Sequence, residues 1–126
     1  MGKYLIRETN GTFIVRMKAD NGEVIVTSQQ YKSLLTCKAG IAAVRASAAS
    51  AGIEDQTQEG FKPILHPKFE VYLDAAGEYR FRLKAKNGQI IAASQGYKTL
   101  DSCLNGVESV RNNAPDGKEE KEDELQ

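Results

Sequence analysis

The feature that most limits what this chain can fold into is an ungapped internal duplication. Residues Gly11 to Ala48, GTFIVRMKADNGEVIVTSQQYKSLLTCKAGIAAVRASA, recur in diverged form as Gly77 to Ala114, GEYRFRLKAKNGQIIAASQGYKTLDSCLNGVESVRNNA. Arg16 and Lys18 register with Arg82 and Lys84, and Asn21-Gly22 with Asn87-Gly88. Ser28 and Tyr31-Lys32 fall on Ser94 and Tyr97-Lys98, Cys37 and Gly40 on Cys103 and Gly106, and Val44-Arg45 on Val110-Arg111. Self-similarity of this kind means one supersecondary unit built twice. A single small meander buries too little on one face to stand alone, so the copies are expected to share a core.

Within each copy the pattern changes period. Residues 4–7 and 69–73 read as a first strand, with Tyr4 and Ile6, and Phe69, Val71 and Leu73, on one face. Gly11 and Gly77 supply the turn that follows. In the second strand, Tyr79 to Lys86, apolar and basic residues alternate strictly, as a half-buried strand requires; Phe13 to Lys18 alternates less cleanly. Asn21-Gly22 and Asn87-Gly88 predict type I′ hairpins, which need positive φ at both central residues. Third strands over 24–27 and 90–93 are apolar on both faces, as suits a central strand. Ser33 and Thr99 are the expected helix N-caps. Behind them Leu34, Cys37, Ile41, Val44 and Ala48, and Leu100, Cys103, Val107, Val110 and Ala114, form one apolar stripe per helix. Gly40 and Gly106 lie beside the stripes in mid-helix, which predicts close approach of a neighbour at a cost of about 1 kcal/mol relative to Ala.

The expected organisation is one domain, 1–114, made of repeats 4–50 and 69–114 with a polar connector, 51–68. Ile53, Phe61 and Ile64-Leu65 are candidates to pin the connector, or to form a further edge strand. Residues 115–126, PDGKEEKEDELQ, read as a disordered acidic tail. The formal charge is zero, but removing the tail leaves fifteen basic and eleven acidic residues, a body of +4. No secretory, transmembrane or lipidation signal is present, so a cytoplasmic protein with no membrane association is expected, its two cysteines reduced.

FRLKAKNGQIIAASQGYKT with CLNGVESVRNNA, and VRMKADNGEVIVTSQQYKS with CKAGIAAVRASA, resemble the YegP-like family of short bacterial repeats. The resemblance implies an α+β fold: tandem β-β-β-α units sharing one antiparallel sheet, two helices on one face and an internal pseudo-two-fold axis. Because both copies lie in one chain, a monomer with internal pseudo-symmetry is expected; the resemblance implies that some single-copy relatives reach the same arrangement by dimerising. The family is of unknown function and lends no site residues.

The residues themselves offer no nucleophile with a base, no phosphate loop and no metal set, so neither catalysis nor a cofactor is expected. His66 is the lone histidine, and Cys37 and Cys103 sit on the buried stripes, which argues against a redox-responsive thiol. Tyr31-Lys32 and Tyr97-Lys98 read as seam residues rather than a proton-transfer pair. What remains is the sheet face opposite the helices. It is expected to carry Arg16, Lys18, Tyr72, Arg80, Arg82, Lys84 and Lys86, with Leu5, Ile14, Val24, Val26, Ile90 and Ala92 between them. Such a face suits an interaction module for an acidic partner. The alternative is a single-stranded nucleic-acid or polyanion binder, with Lys and Arg on phosphate and Tyr72 stacking a base.

Overall fold

In the computed structural model, which describes residues 2–122, eight strands form a single sheet with two helices on one face. The first repeat gives β1 (Lys3–Thr9), β2 (Thr12–Lys18), β3 (Val24–Thr27), α1 (Leu34–Ser50) and β4 (Gly52–Asp55). The second gives β5 (Lys68–Leu73), β6 (Tyr79–Lys84), β7 (Ile90–Ser94), α2 (Leu100–Asn113) and β8 (Lys118–Lys121). The spatial order is β4-β5-β6-β7-β3-β2-β1-β8. The third strands meet at the centre, antiparallel, pairing Thr27 with Ala93. These two residues are equivalent in the duplication, so the pseudo-two-fold axis passes between them.

The sheet is mixed rather than wholly antiparallel. Each helix returns the chain over the sheet, and the strand after it lies parallel to the first strand of the other repeat: β4 on β5, β8 on β1. The two copies are thus laced together, each completing its neighbour's edge. Lys118 to Lys121 lie 66 residues after Gly52 to Asp55, the same offset as Gly11 to Gly77. The duplication therefore extends into the segment expected to be disordered. The expectation of a disordered tail from Pro115 fails for β8; residues 123–126 lie outside the described residues. The tail lacks apolar anchors, but the open backbone of β1 supplies a ladder that composition does not reveal.

Turn chemistry differs from expectation in a way that moves side chains. Asn21 and Asn87 do not take positive φ; Gly22 and Gly88 do, at 85°. With Ala19 N–H bonded to Glu23 O and Gly22 N–H to Ala19 O, the loop is a type I turn closed by a left-handed glycine, not type I′. The asparagines instead accept through Oδ1 from the N–H two residues on, at 3.0 Å in each copy. Bulges follow in both β2–β3 and β6–β7, between Met17 and Lys18 and between Leu83 and Lys84. Each inserts one residue, so Val26 and Ala92, expected on the open face, pair with Met17 and Leu83 and are buried in the core. The type I′ turn belongs to Asn10-Gly11, where φ is 52° and 82° and Thr9 faces Thr12.

The core lies between sheet and helices: Tyr4, Met17, Ile41, Phe69, Phe81, Leu83, Val107 and Val110 are all almost fully buried. Ser33 and Thr99 cap the helices, each hydroxyl accepting from the N–H three residues on at 3.1 Å. Of the α1 stripe, Leu34 stays outside the core, 44 % exposed. Gly40 and Gly106 make room for a tyrosine. A Cβ on Gly40 would lie 2.2 Å from the Tyr31 hydroxyl, and one on Gly106 2.6 Å from that of Tyr97. Tyr and Gly are thus one packing unit: each ring closes the seam between helix and sheet, as the Tyr-Lys motif suggested. Ser28 and Ser94 complete the junction by accepting from Val15 and Phe81 N–H at 2.9 Å.

Candidate functional site

The pairing registers define one rung across the uncovered face: Glu54, Glu70, Arg82, Ala93, Thr27, Arg16, Leu5 and Glu120. Arg16 and Arg82 stand astride the pseudo-axis, separated by the small side chains of Thr27 and Ala93. Strand alternation puts Arg80, Lys84, Lys18 and Tyr72 on the same face, as the sequence suggested. Lys86 does not join them, because β6 ends at Lys84 and Lys86 falls in the following turn.

The basic row is largely answered from within. Arg82 Nε donates to Glu70 Oε1 at 2.6 Å, and its guanidinium lies 4.6 Å from the centre of the Tyr72 ring. Lys84 Nζ is 3.3 Å from Glu70 Oε2, and Arg80 Nε donates to Asp74 Oδ2 at 2.6 Å. Arg16 pairs with Glu122, from the segment after β8. Glu70 and Asp74 are the residues that sequence reading missed. Glu70 sits on β5 directly opposite Arg82, a cross-strand pair that becomes visible once the register is known. The Arg80 guanidinium holds the Asp74 carboxyl below its usual range.

The β4–β5 edge carries a buried charge cluster. Lys68 Nζ lies 2.7 Å from Glu54 Oε1 and 3.2 Å from Glu70 Oε2, and Glu54, Lys68 and Glu70 are 3 %, 6 % and 3 % exposed. Glu54 also accepts from Gln56 Nε2 at 2.7 Å and from the Ile64 N–H at 2.8 Å. Burial pushes the Glu54 carboxyl up, but the Lys68 ammonium and these donors prevail and bring it down to about 2. Glu70 is likewise lowered, burial being outweighed by Arg82, Lys68 and Lys84. The hydrogen bond to Glu54 raises Lys68 against its own burial. In the other half Leu5 replaces Glu70, so this cluster belongs to one edge alone.

Beside it, Gln56, Thr57, Phe61, Tyr72, Leu73, Tyr79 and Arg82 line a shallow cleft at the end of β5, where Tyr72 and Arg82 of the uncovered face meet Leu73 and Tyr79 of the helix-side face. Phe61 and Leu73 are 41 % and 53 % exposed. The connector, read from the sequence as a polar chain with a few anchors or a further edge strand, supplies edge strand β4 and shapes this cleft.

The remaining candidates are structural. Cys37 and Cys103 are fully buried, and burial pushes both thiols up, Cys103 to about 11. His66 is exposed in the connector, and among the described residues no group of three or more His, Cys, Asp or Glu gathers to hold a metal. No helix among the described residues is long and apolar enough to cross a membrane. The arginines of the repeated Val-Arg pair have a task that the sequence did not disclose. Arg45 Nη2 donates to Gly117 O at 2.7 Å and lies 4.6 Å above the Tyr4 ring; Arg111 Nη2 donates to Ala51 O at 2.6 Å and lies 5.4 Å above Phe69. Each fastens the start of an exchanged edge strand.

Residues 8–55 and 74–119 each match the family described as "Domain of unknown function (DUF1508)". The chain belongs to this family. The UPF0339 protein YegP of Escherichia coli (strain K12) is 33 % identical over 109 residues, 86 % of either chain. A UPF0339 protein of Methanosarcina acetivorans is 63 % identical over 51 residues, 40 % of this chain but 88 % of that one, so it corresponds to a single repeat. Among solved structures, the solution NMR structure of YegP from E. coli, a protein of unknown function, superposes with a TM-score of 0.76 at 29 % identity, covering 99 % of this chain and 96 % of that one. A UPF0339 protein of Shewanella oneidensis gives 0.76 at 26 %, covering 95 % and 90 %. This chain thus shares its duplicated α+β fold with YegP of E. coli and the Shewanella oneidensis protein, and the names of these relatives assign no activity.

Proposed function

We propose that the protein is a non-catalytic interaction module that binds a protein partner on its uncovered sheet face, centred on the cleft around Tyr72 and Arg82. The observation that carries this reading is the make-up of that cleft: a Tyr–Arg stack flanked by half-exposed Phe61 and Leu73, with Gln56 and Thr57 at its rim. Tyr and Arg in a partly apolar surround are the residue types that anchor protein interfaces. A polyanion is served less well. Each phosphate at Arg16, Arg80, Arg82 or Lys84 would have to displace a carboxylate already in place.

Affinity purification with the full chain as bait tests the reading. A partner should co-purify with the native chain and be lost with Leu73→Asp or Phe61→Ser, each checked by its unfolding midpoint to be folded under the conditions of the assay. A partner retained equally by these variants would overturn the assignment of the cleft.

A further inference from the structure

We propose that β8 is an exchangeable edge strand, and that the outer edge of β1 beneath it takes an extended acidic peptide of a partner protein bearing an aliphatic side chain at the position of Glu119. This surface lies at the opposite edge of the sheet from the Tyr72 cleft and does not depend on it.

The molecule carries its own reference for what the site accepts. On the other edge β4 fills the equivalent place, and its Ile53, opposite Phe69, packs against the core. In β8 the same position, opposite Tyr4, is Glu119, and all four residues of β8 are exposed and none is apolar. Ile6, Phe13 and Leu34 line a groove beside β8, and Leu34 remains 44 % exposed. The strand covering this groove brings no side chain to fill it.

Charge states the rest of the preference. Lys3 lies 3.5 Å from Glu120, Lys38 and Arg45 lie 3.9 and 3.7 Å from Glu119, and Arg16 pairs with Glu122. Lys3 and Arg16 therefore favour acidic side chains at the positions of Glu120 and Glu122, while an aliphatic side chain at the position of Glu119 gives up the longer contacts to Lys38 and Arg45. The exposed pairs of Lys3 and Lys38 add little, whereas Arg45 on Gly117 O and the Arg16–Glu122 pair hold the two ends of the strand, so an added peptide competes with a tethered resident. The main chain of β8 is bonded to the neighbouring strand by Lys118 N–H to Gly2 O at 3.1 Å and Glu122 N–H to Ile6 O at 2.7 Å at either end. The ladder to β8 covers Lys3 to Ile6 of β1, and main-chain pairing along an outer sheet edge is what such an edge offers an extended peptide.

The probe is a synthetic heptapeptide with the sequence of residues 51–57, Ala-Gly-Ile-Glu-Asp-Gln-Thr, titrated to millimolar concentration into the ¹⁵N-labelled full chain. Millimolar peptide is needed because the resident strand is tethered and competes at high effective concentration. The expected result is shifts at the amides of Lys3 to Ile6, loss of hydrogen-exchange protection at Lys118 to Glu122, and no change along β5. The same peptide with Glu in place of Ile should bind about tenfold more weakly, the worth of one buried aliphatic side chain. A Glu119→Ile chain, which supplies that side chain itself, should take up the first peptide about tenfold less well. No shift along β1, or equal binding of the Ile and Glu peptides to the unaltered chain, overturns the proposal.

Discussion

Replacing Lys68 by Met isolates the buried charge cluster. The methionine conserves most of the volume but removes the ammonium that lies 2.7 Å from Glu54 and 3.2 Å from Glu70. Glu70 keeps Arg82 and Lys84, whereas Glu54 keeps only Gln56 and the Ile64 N–H. Removing one partner of a buried ion pair costs about 3–5 kcal/mol. The two donors that remain on Glu54 place Lys68→Met at the lower end, about 3 kcal/mol, or about 10–15 °C in midpoint. The deficit should depend on pH. In the native chain Glu54 is depressed to about 2, so its contribution is complete above the unfolded value of about 4.3 and fades as pH falls towards 2. Without Lys68, burial dominates and raises the carboxyl, so protonation relieves the variant. Urea unfolding of both chains should therefore show the full gap at pH 7 and about half of it at pH 3. A gap below about 1 kcal/mol at pH 7, or one unchanged at pH 3, would refute this account of the cluster.

Gly106→Ala should destabilise by about 1–3 kcal/mol despite the better helix propensity of Ala, because its Cβ would lie 2.6 Å from the Tyr97 hydroxyl and 2.9 Å from Phe81. Tyr97→Phe in the same chain should recover part of the loss, and a stabilised single variant in chemical denaturation would refute the Tyr–Gly unit. Thiol titration of the native protein should label neither Cys37 nor Cys103 rapidly, since both are buried and their thiols raised; rapid modification of both would contradict the packing. Arg45→Ala should accelerate amide exchange at Lys118 and Glu122 while β4 is unaffected, and Arg111→Ala should do the reverse at β4. Equal effects of either substitution on both edges would show that the arginines do not act as separate fasteners.

What was legible in the sequence is what local chemistry decides. Ser33 and Thr99 announce the helix starts, the cysteine-containing stripes announce the buried faces, and the ungapped duplication announces the paired units. Less legible was anything set by register. Asn-Gly serves both a type I′ turn and a type I turn closed by a glycine, and the bulges that follow Gly22 and Gly88 carried Val26 and Ala92 into the core. Glu70 as the neutraliser of Arg82 is a consequence of pairing across twelve residues. Strand β8 was hidden because Lys-Glu-Glu-Lys has neither pattern nor hydrophobicity; its partners, Arg45 and the edge of β1, are far away in sequence. The signal that would have found it is the constant offset, which carries Lys118 to Lys121 onto Gly52 to Asp55.

Arg16, Arg80 and Arg82 of the open face each already pair with a carboxylate of the same chain, which leaves that face suited to a protein rather than to a polyanion. Fluorescence anisotropy of labelled single-stranded DNA and RNA against the full chain, at low and at physiological salt, tests it most directly. The account predicts no saturable binding at either salt. Binding that is tight at low salt, falls steeply as salt rises and disappears when Arg16, Arg80 and Arg82 are replaced by Ala would contradict it.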